Sequence, residues 1–187
     1  MQNGIEKILK ENSLIPVVTI ANQEELDNIY LGLKEKGVFV VEITLRTDFV
    51  WEAIQLFKEK YGHEFCVGVG TIVSREQIQK CVDLKVDFMI SPGLTTTLAE
   101  SFHQSGIPFL AGVATPSEII KGMELGCEYF KFFPAELFGG LKALKAYKSI
   151  FGNVKFCPTG GVNEDNYQEY LALDNVLAVG GSWLTKK

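Results

Sequence analysis

The sequence predicts an α/β fold of the (β/α)8 barrel type, with an extra N-terminal helix and no closing helix after the last strand. Three observations carry this expectation. Eight short apolar runs recur along the chain, each nearly continuous rather than alternating, as parallel strands covered on both faces require. The stretches between them place apolar residues at helical spacing. The C-terminal ends of several runs hold the polar and glycine residues that a barrel gathers at one mouth. An open doubly wound sheet is the structural alternative.

In chain order, Ile5, Ile8 and Leu9 share one face of a first helix that could plug the barrel bottom. The first run, LIPVVTI (14–20), leads to a helix with Leu26, Ile29, Tyr30 and Leu33 on its apolar side. VFVVEIT (38–44) is followed by Val50, Ile54 and Phe57 in a helix expected to open at Asp48. FCVGVG (65–70) precedes a helix capped by Ser74 and buried through Ile78, Cys81, Val82 and Leu84. DFMIS (87–91), IPFLAG (107–112) with Thr115-Pro116 opening the next helix, EYFKFFP (128–134), VKFCP (154–158) with Asn163 as the next cap, and VLAVGG (176–181) complete the series. After the eighth run only SWLTKK remains, too little for a helix. The flank between the seventh and first helices is therefore expected to be partly uncovered, exposing an apolar strip that favours oligomerisation or invites aggregation.

No Pro/Gly/Ser-rich linker divides the 187 residues, so a single domain (1–187) is expected. The net charge of -5 and the lack of a basic block argue against nucleic-acid or anionic-membrane partners. MQNGIEKILKEN carries no signal-peptide apolar stretch and no segment approaches a membrane span, so a soluble, cytoplasmic protein is expected. Cys66, Cys81, Cys127 and Cys157 lack CxxC spacing, and only His63 and His103 could join them, a poor set for zinc. Cys66, Cys127 and Cys157, in or beside strand-like runs, read as reduced, buried small hydrophobes rather than a redox pair. Both histidines read as surface or capping residues.

Lys131 is a lone ammonium among Tyr129, Phe130, Phe132 and Phe133 in a run that stops at Pro134. Strand alternation puts it on one face with Tyr129 and Phe133. An attacking amine must be neutral, a form that desolvation by aromatic neighbours favours; the bland alternative is a buried stem with its head at the strand end. Glu42 is the one acid in an otherwise uncharged strand. It is either a general base across the barrel from Lys131 or half of a structural ion pair with Lys131 or Arg46. Arg46, in the loop TLRTD, either binds a carboxylate bidentately at the mouth or pairs with Asp48 at the surface. Thr71, ending GVGT, is either a donor to that carboxylate or a turn residue. PTGG (158–161) and VGGS (179–182) end the seventh and eighth runs, where barrels of this type often bind phosphate through backbone N–H groups. Ser182 could add a hydroxyl there.

Taken together, TLRT after a strand glutamate, GVGT, SPGL (91–94), FLAGVATPSE (109–118), FKFFPAE (130–136), FCPTGGV (156–162) and VGGSWL (179–184) resemble the bacterial 2-keto-3-deoxy-6-phosphogluconate / 4-hydroxy-2-oxoglutarate aldolase family, from about Leu14 to Leu184. The resemblance implies a class I aldolase on a (β/α)8 barrel, homotrimeric, without metal or other cofactor. It further implies cleavage of a small sugar-acid phosphate by way of a Schiff base. By matching motif, Lys131 resembles the Schiff-base lysine and Glu42 the general acid/base. Arg46 and Thr71 resemble the pyruvate-carboxylate ligands, Pro92 and Phe132 the pocket wall, and Gly160, Gly161 and Ser182 the phosphate contacts. The galactonate epimer as substrate, a different phosphate-binding barrel enzyme and a non-catalytic scaffold of the same fold are the competing readings. The chain departs from the family pattern at its end, where members continue past GSWL into a further helix.

Overall fold

The computed structural model describes residues 2–185; Met1 of the opening segment and Lys186 and Lys187 of the SWLTKK tail lie outside them. After helix α1 (Gln2–Glu11), strand and helix alternate: β1 (Leu14–Val18), α2 (Gln23–Glu35), β2 (Val40–Thr44), α3 (Val50–Tyr61), β3 (Cys66–Gly70), α4 (Arg75–Asp83), β4 (Phe88–Ile90), α5 (Thr96–Ser105), β5 (Phe109–Val113) and α6 (Pro116–Glu124). The series ends with β6 (Tyr129–Phe132), α7 (Gly140–Ile150), β7 (Lys155–Pro158), α8 (Tyr167–Leu171) and β8 (Val179–Gly181). Short 3-10 turns span Glu136–Phe138 and Trp183–Thr185.

All paired strands are parallel, in the order β7-β6-β5-β4-β3-β2-β1-β8. Isolated bridges Phe156↔Val176 and Thr159↔Gly180 bring the two ends together. The open-sheet alternative is thereby excluded, and the strand ends share one mouth.

Strand alternation sorts the core into two layers. Ile15, Val40, Phe88, Ile90, Leu110, Tyr129, Cys157 and Ala178 point inward, and the buried faces of Ile5 and Leu9 on α1 close the bottom of that cluster as expected. The neighbouring positions, among them Val41, Ile43, Val67, Met89, Phe130, Phe132 and Phe156, face the helices. Burial of these apolar groups on both faces is what makes the runs continuous in sequence.

The expected caps at Ser74 and Thr115 form complete capping boxes with Gln77 and Glu118. Two others are corrected. Asp48 does not cap α3, whose flanking residue is Phe49. Asn163 heads a turn instead, its carboxamide oxygen accepting from the Asp165 N–H at 2.9 Å, and α8 begins only at Tyr167. His103 packs edge-on against Phe109 with Nε2 2.8 Å from the Leu125 carbonyl, while His63 is exposed beside Glu64. Beside α2, Leu31 is exposed, and Lys36 donates to the Leu184 carbonyl where the Trp183–Thr185 turn lies against the helix.

Candidate active site

Lys131 and Glu42 lie 89 residues apart in sequence and meet inside the barrel. Lys131 Nζ is 3.0 Å from Oε1 and 3.3 Å from Oε2 of Glu42. Their side chains are only 7% and 1% exposed, so neither charge is compensated by water and each depends on the other. The ammonium also lies 5.3 Å from the centre of the Phe133 ring, over its face.

Glycines make the room for this pair. In register with Lys131 are Gly112 on β5 and Cys157 on β7. A Cβ on Gly112 would overlap the backbone of Pro92 and Gly93, and one on Gly70 would overlap the Glu42 carboxylate. Pro92, at the end of β4, thus borders the lysine's surroundings from the β5 side. Burial pushes the Cys157 thiol up to about 12, leaving the lysine a neutral neighbour there.

Directly above, a cleft of about 630 Å³ opens at the strand ends. Arg46, Gly160, Gly161 and Ser182 line it, together with Thr19, Phe133 and Thr159. Phe133 lies one inward position beyond Lys131, and Val17, also on the wall, is in register with Glu42. Arg46 is exposed, and among the described residues its guanidinium makes no hydrogen bond or ion pair. The surface pairing with Asp48 is therefore not formed. Gly160 and Gly161 have φ of 91° and 84°, a left-handed pair that L-residues adopt only with strain.

Thr71 follows β3 with φ 66°, a sparsely populated region for a β-branched residue. It is half-buried at the same end of the barrel, though neither it nor Pro92 lines the 630 Å³ cleft. Phe132 is corrected. It is fully buried and directed outward, edge-on to Tyr147 of α7 at 5.9 Å and to Phe156 at 6.3 Å. The aromatic wall of the mouth is Phe133, as alternation from Lys131 requires. Thr19 and Thr159 were missed in sequence, although each lies at or just beyond a strand end, the position that singled out Thr71.

Among the described residues no group of three His, Cys, Asp or Glu side chains converges as metal ligands would, and no helix is long and apolar enough to cross a membrane. The arrangement offers a buried amine touching a carboxylate, with an unpaired guanidinium and two left-handed glycines on the wall of the cleft at the strand ends.

Known proteins resemble this chain in sequence and fold. The chain is 43% identical over 183 residues to the 2-dehydro-3-deoxy-phosphogluconate aldolase of Dickeya dadantii, covering 98% of this chain and 85% of that protein. It is 41% identical over the same length to the KHG/KDPG aldolase of Escherichia coli strain K12, with the same coverage. The crystal structure of KDPG aldolase from Legionella pneumophila, with pyruvate captured at low pH as a covalent carbinolamine intermediate, superposes with a TM-score of 0.92 at 40% identity, over 98% of this chain and 87% of that one. The family described as KDPG and KHG aldolase matches residues 5–187, nearly the whole barrel and every strand end described above, and the chain belongs to that family.

Proposed function

We propose that this chain is a class I aldolase that cleaves 2-keto-3-deoxy-6-phosphogluconate to pyruvate and glyceraldehyde 3-phosphate, and 4-hydroxy-2-oxoglutarate to pyruvate and glyoxylate. The observation that carries the reading is the buried contact of Lys131 Nζ with Glu42 at 3.0 Å. The carboxylate is placed to take a proton from the ammonium, freeing the lone pair that attacks the C2 ketone. Glu42 returns that proton to the carbinolamine hydroxyl, which leaves as water, giving an iminium and restoring the carboxylate. Glu42 then removes the C4 hydroxyl proton, directly or through one water. The C3–C4 electron pair flows into the iminium, releasing the aldehyde and leaving a pyruvate enamine. Protonation at C3 and hydrolysis return pyruvate and free Lys131. The iminium is the electron sink, so these steps need no metal.

Around that centre, Arg46 and Thr71 bind the substrate carboxylate and Pro92 and Phe133 wall the pocket. The N–H groups at Gly160 and Gly161 and the Ser182 hydroxyl hold the phosphate. Relatives named for this reaction and the pyruvate adduct of the Legionella enzyme support the assignment. The family resemblance also supports a cytoplasmic homotrimer, whose mass light scattering would report.

The deciding experiment is borohydride reduction in the presence of pyruvate, followed by peptide mass mapping. Lys131 gains one reduced pyruvyl group. An unmodified Lys131 in protein that retains its native circular dichroism overturns the Schiff-base reading.

A further inference from the structure

Thr19 and Thr44 form a hydroxyl relay at the mouth that the chemistry above does not use. Thr44 Oγ1 donates to the Val18 carbonyl at 2.8 Å, within the barrel and 1% exposed. A hydroxyl has one hydrogen, and that bond takes it. The 3.0 Å contact between the two threonine oxygens therefore has a single polarity, with Thr19 donating to Thr44. Thr19, which lines the 630 Å³ cleft, is left with lone pairs and no hydrogen. It faces the cleft as an acceptor only.

Its position along the wall fixes what it meets. Strands β2, β1 and β8 are neighbours, and Arg46, Thr19 and Ser182 stand just beyond their respective ends, all on the cleft wall. On the proposed aldolase reading, on which this inference rests, the substrate carboxylate lies at Arg46 and the phosphate at Ser182. Thr19 therefore faces the middle of the sugar chain. Of the two hydroxyls there, the one on C4 is committed to Glu42.

We infer that Thr19 is a specificity-determining residue that accepts a hydrogen bond from the C5 hydroxyl of the sugar-acid phosphate, its polarity set by Thr44. Thr44 is a positioning residue in this device. The relay rewards substrates that bring a hydroxyl donor to that point and gives nothing to 4-hydroxy-2-oxoglutarate, which has a carboxylate at C5.

The test compares wild type, Thr19→Val and Thr19→Ser on the 6-phosphogluconate substrate, its 5-deoxy analogue and 4-hydroxy-2-oxoglutarate. In wild type the 5-deoxy analogue loses about tenfold in kcat/KM, the size of one net hydrogen bond. In Thr19→Val that penalty shrinks to within about twofold, and the preference for the sugar acid over 4-hydroxy-2-oxoglutarate falls about tenfold; Thr19→Ser restores both. Equal losses on all three substrates, or an undiminished 5-deoxy penalty in Thr19→Val, overturn the assignment. The pyruvate adduct at Lys131 separates the two levels: wild type that traps pyruvate but shows no 5-deoxy penalty refutes Thr19 alone, whereas wild type that traps none refutes the aldolase reading and this inference with it.

Discussion

Gly70 and Glu42 are packed so closely that a single methyl group on the glycine would overlap the carboxylate. Gly70 is in register with Thr44 on β2, one inward position beyond Glu42. The missing side chain is what lets the Glu42 carboxylate lie in the barrel within reach of Lys131 Nζ.

Gly70→Ala is therefore expected to displace the carboxylate from its 3.0 Å contact with Lys131. A shift on the order of 1 Å in a catalytic group costs about 100-fold in rate. Steady-state assays of pyruvate release should show the loss chiefly in kcat. A variant with wild-type kcat would mean that Glu42 tolerates another position.

The Lys131–Glu42 pair also makes a stability prediction that separates folding from catalysis. Removing one partner strands a buried charge. Lys131→Met alone is expected to lower unfolding free energy by about 3 kcal/mol, and Glu42→Leu alone by a comparable amount. The double variant Lys131→Met/Glu42→Leu should regain most of that stability while remaining inactive. Urea titrations of all four proteins give the coupling directly. Strictly additive losses would contradict a mutually dependent pair.

Much of the barrel and its mouth is legible in the amino-acid sequence. Continuous apolar runs betray strands buried on two faces, and charges inside such runs at Lys131 and Glu42 mark positions that burial makes expensive. Alternation alone places Phe133 with Lys131, and the structure agrees; the motif match that assigns Phe132 to the wall goes against that parity. Contact across strands is not legible in the same way. The Thr19–Thr44 hydrogen bond spans 25 residues and depends on the β1–β2 register. The left-handed φ of Thr71 leaves no mark in a residue type that avoids it. Asp48 does not cap α3, and the neighbouring Thr47 donates to the Ile20 carbonyl at 2.6 Å, a contact to the segment after β1 that local sequence does not announce.

The capping box of α6 supplies a pH dependence. Burial raises the Glu118 carboxyl, but the N–H groups of Ala114 and Thr115, at 2.8 and 2.9 Å, and the Thr115 hydroxyl outweigh it and hold the group below its usual range. A depressed folded value means that the stabilisation is fully present above the unfolded value, about 4.3, and is lost as pH falls through the folded one. Glu118→Gln should cost about 0.5 kcal/mol at pH 7 after solvent screening. The difference from wild type should shrink as pH falls below about 4. Urea midpoints at pH 7, 4 and 3 check this, and a gap that widens on acidification would reverse the sign.

The two adjacent phenylalanines on either side of the barrel wall should separate cleanly. Phe132 is 0% exposed and packs under α7 against Tyr147 and Phe156, so Phe132→Ala opens a cavity in the outer core. It is expected to cost about 3–5 kcal/mol of unfolding free energy. Phe133 is only partly buried, lines the cleft and presents its ring to the Lys131 ammonium at 5.3 Å. Phe133→Ala should cost less stability, because the truncated ring borders open space rather than close-packed atoms. It should instead lower kcat/KM by about tenfold, through the lost ring contact at the lysine and water admitted to the pair. Phe133→Leu, which keeps apolar volume but not the aromatic face, should recover part of that loss. Parallel urea and kinetic measurements decide the matter: a Phe132→Ala protein that folds stably but loses affinity for substrate would return that residue to the pocket wall.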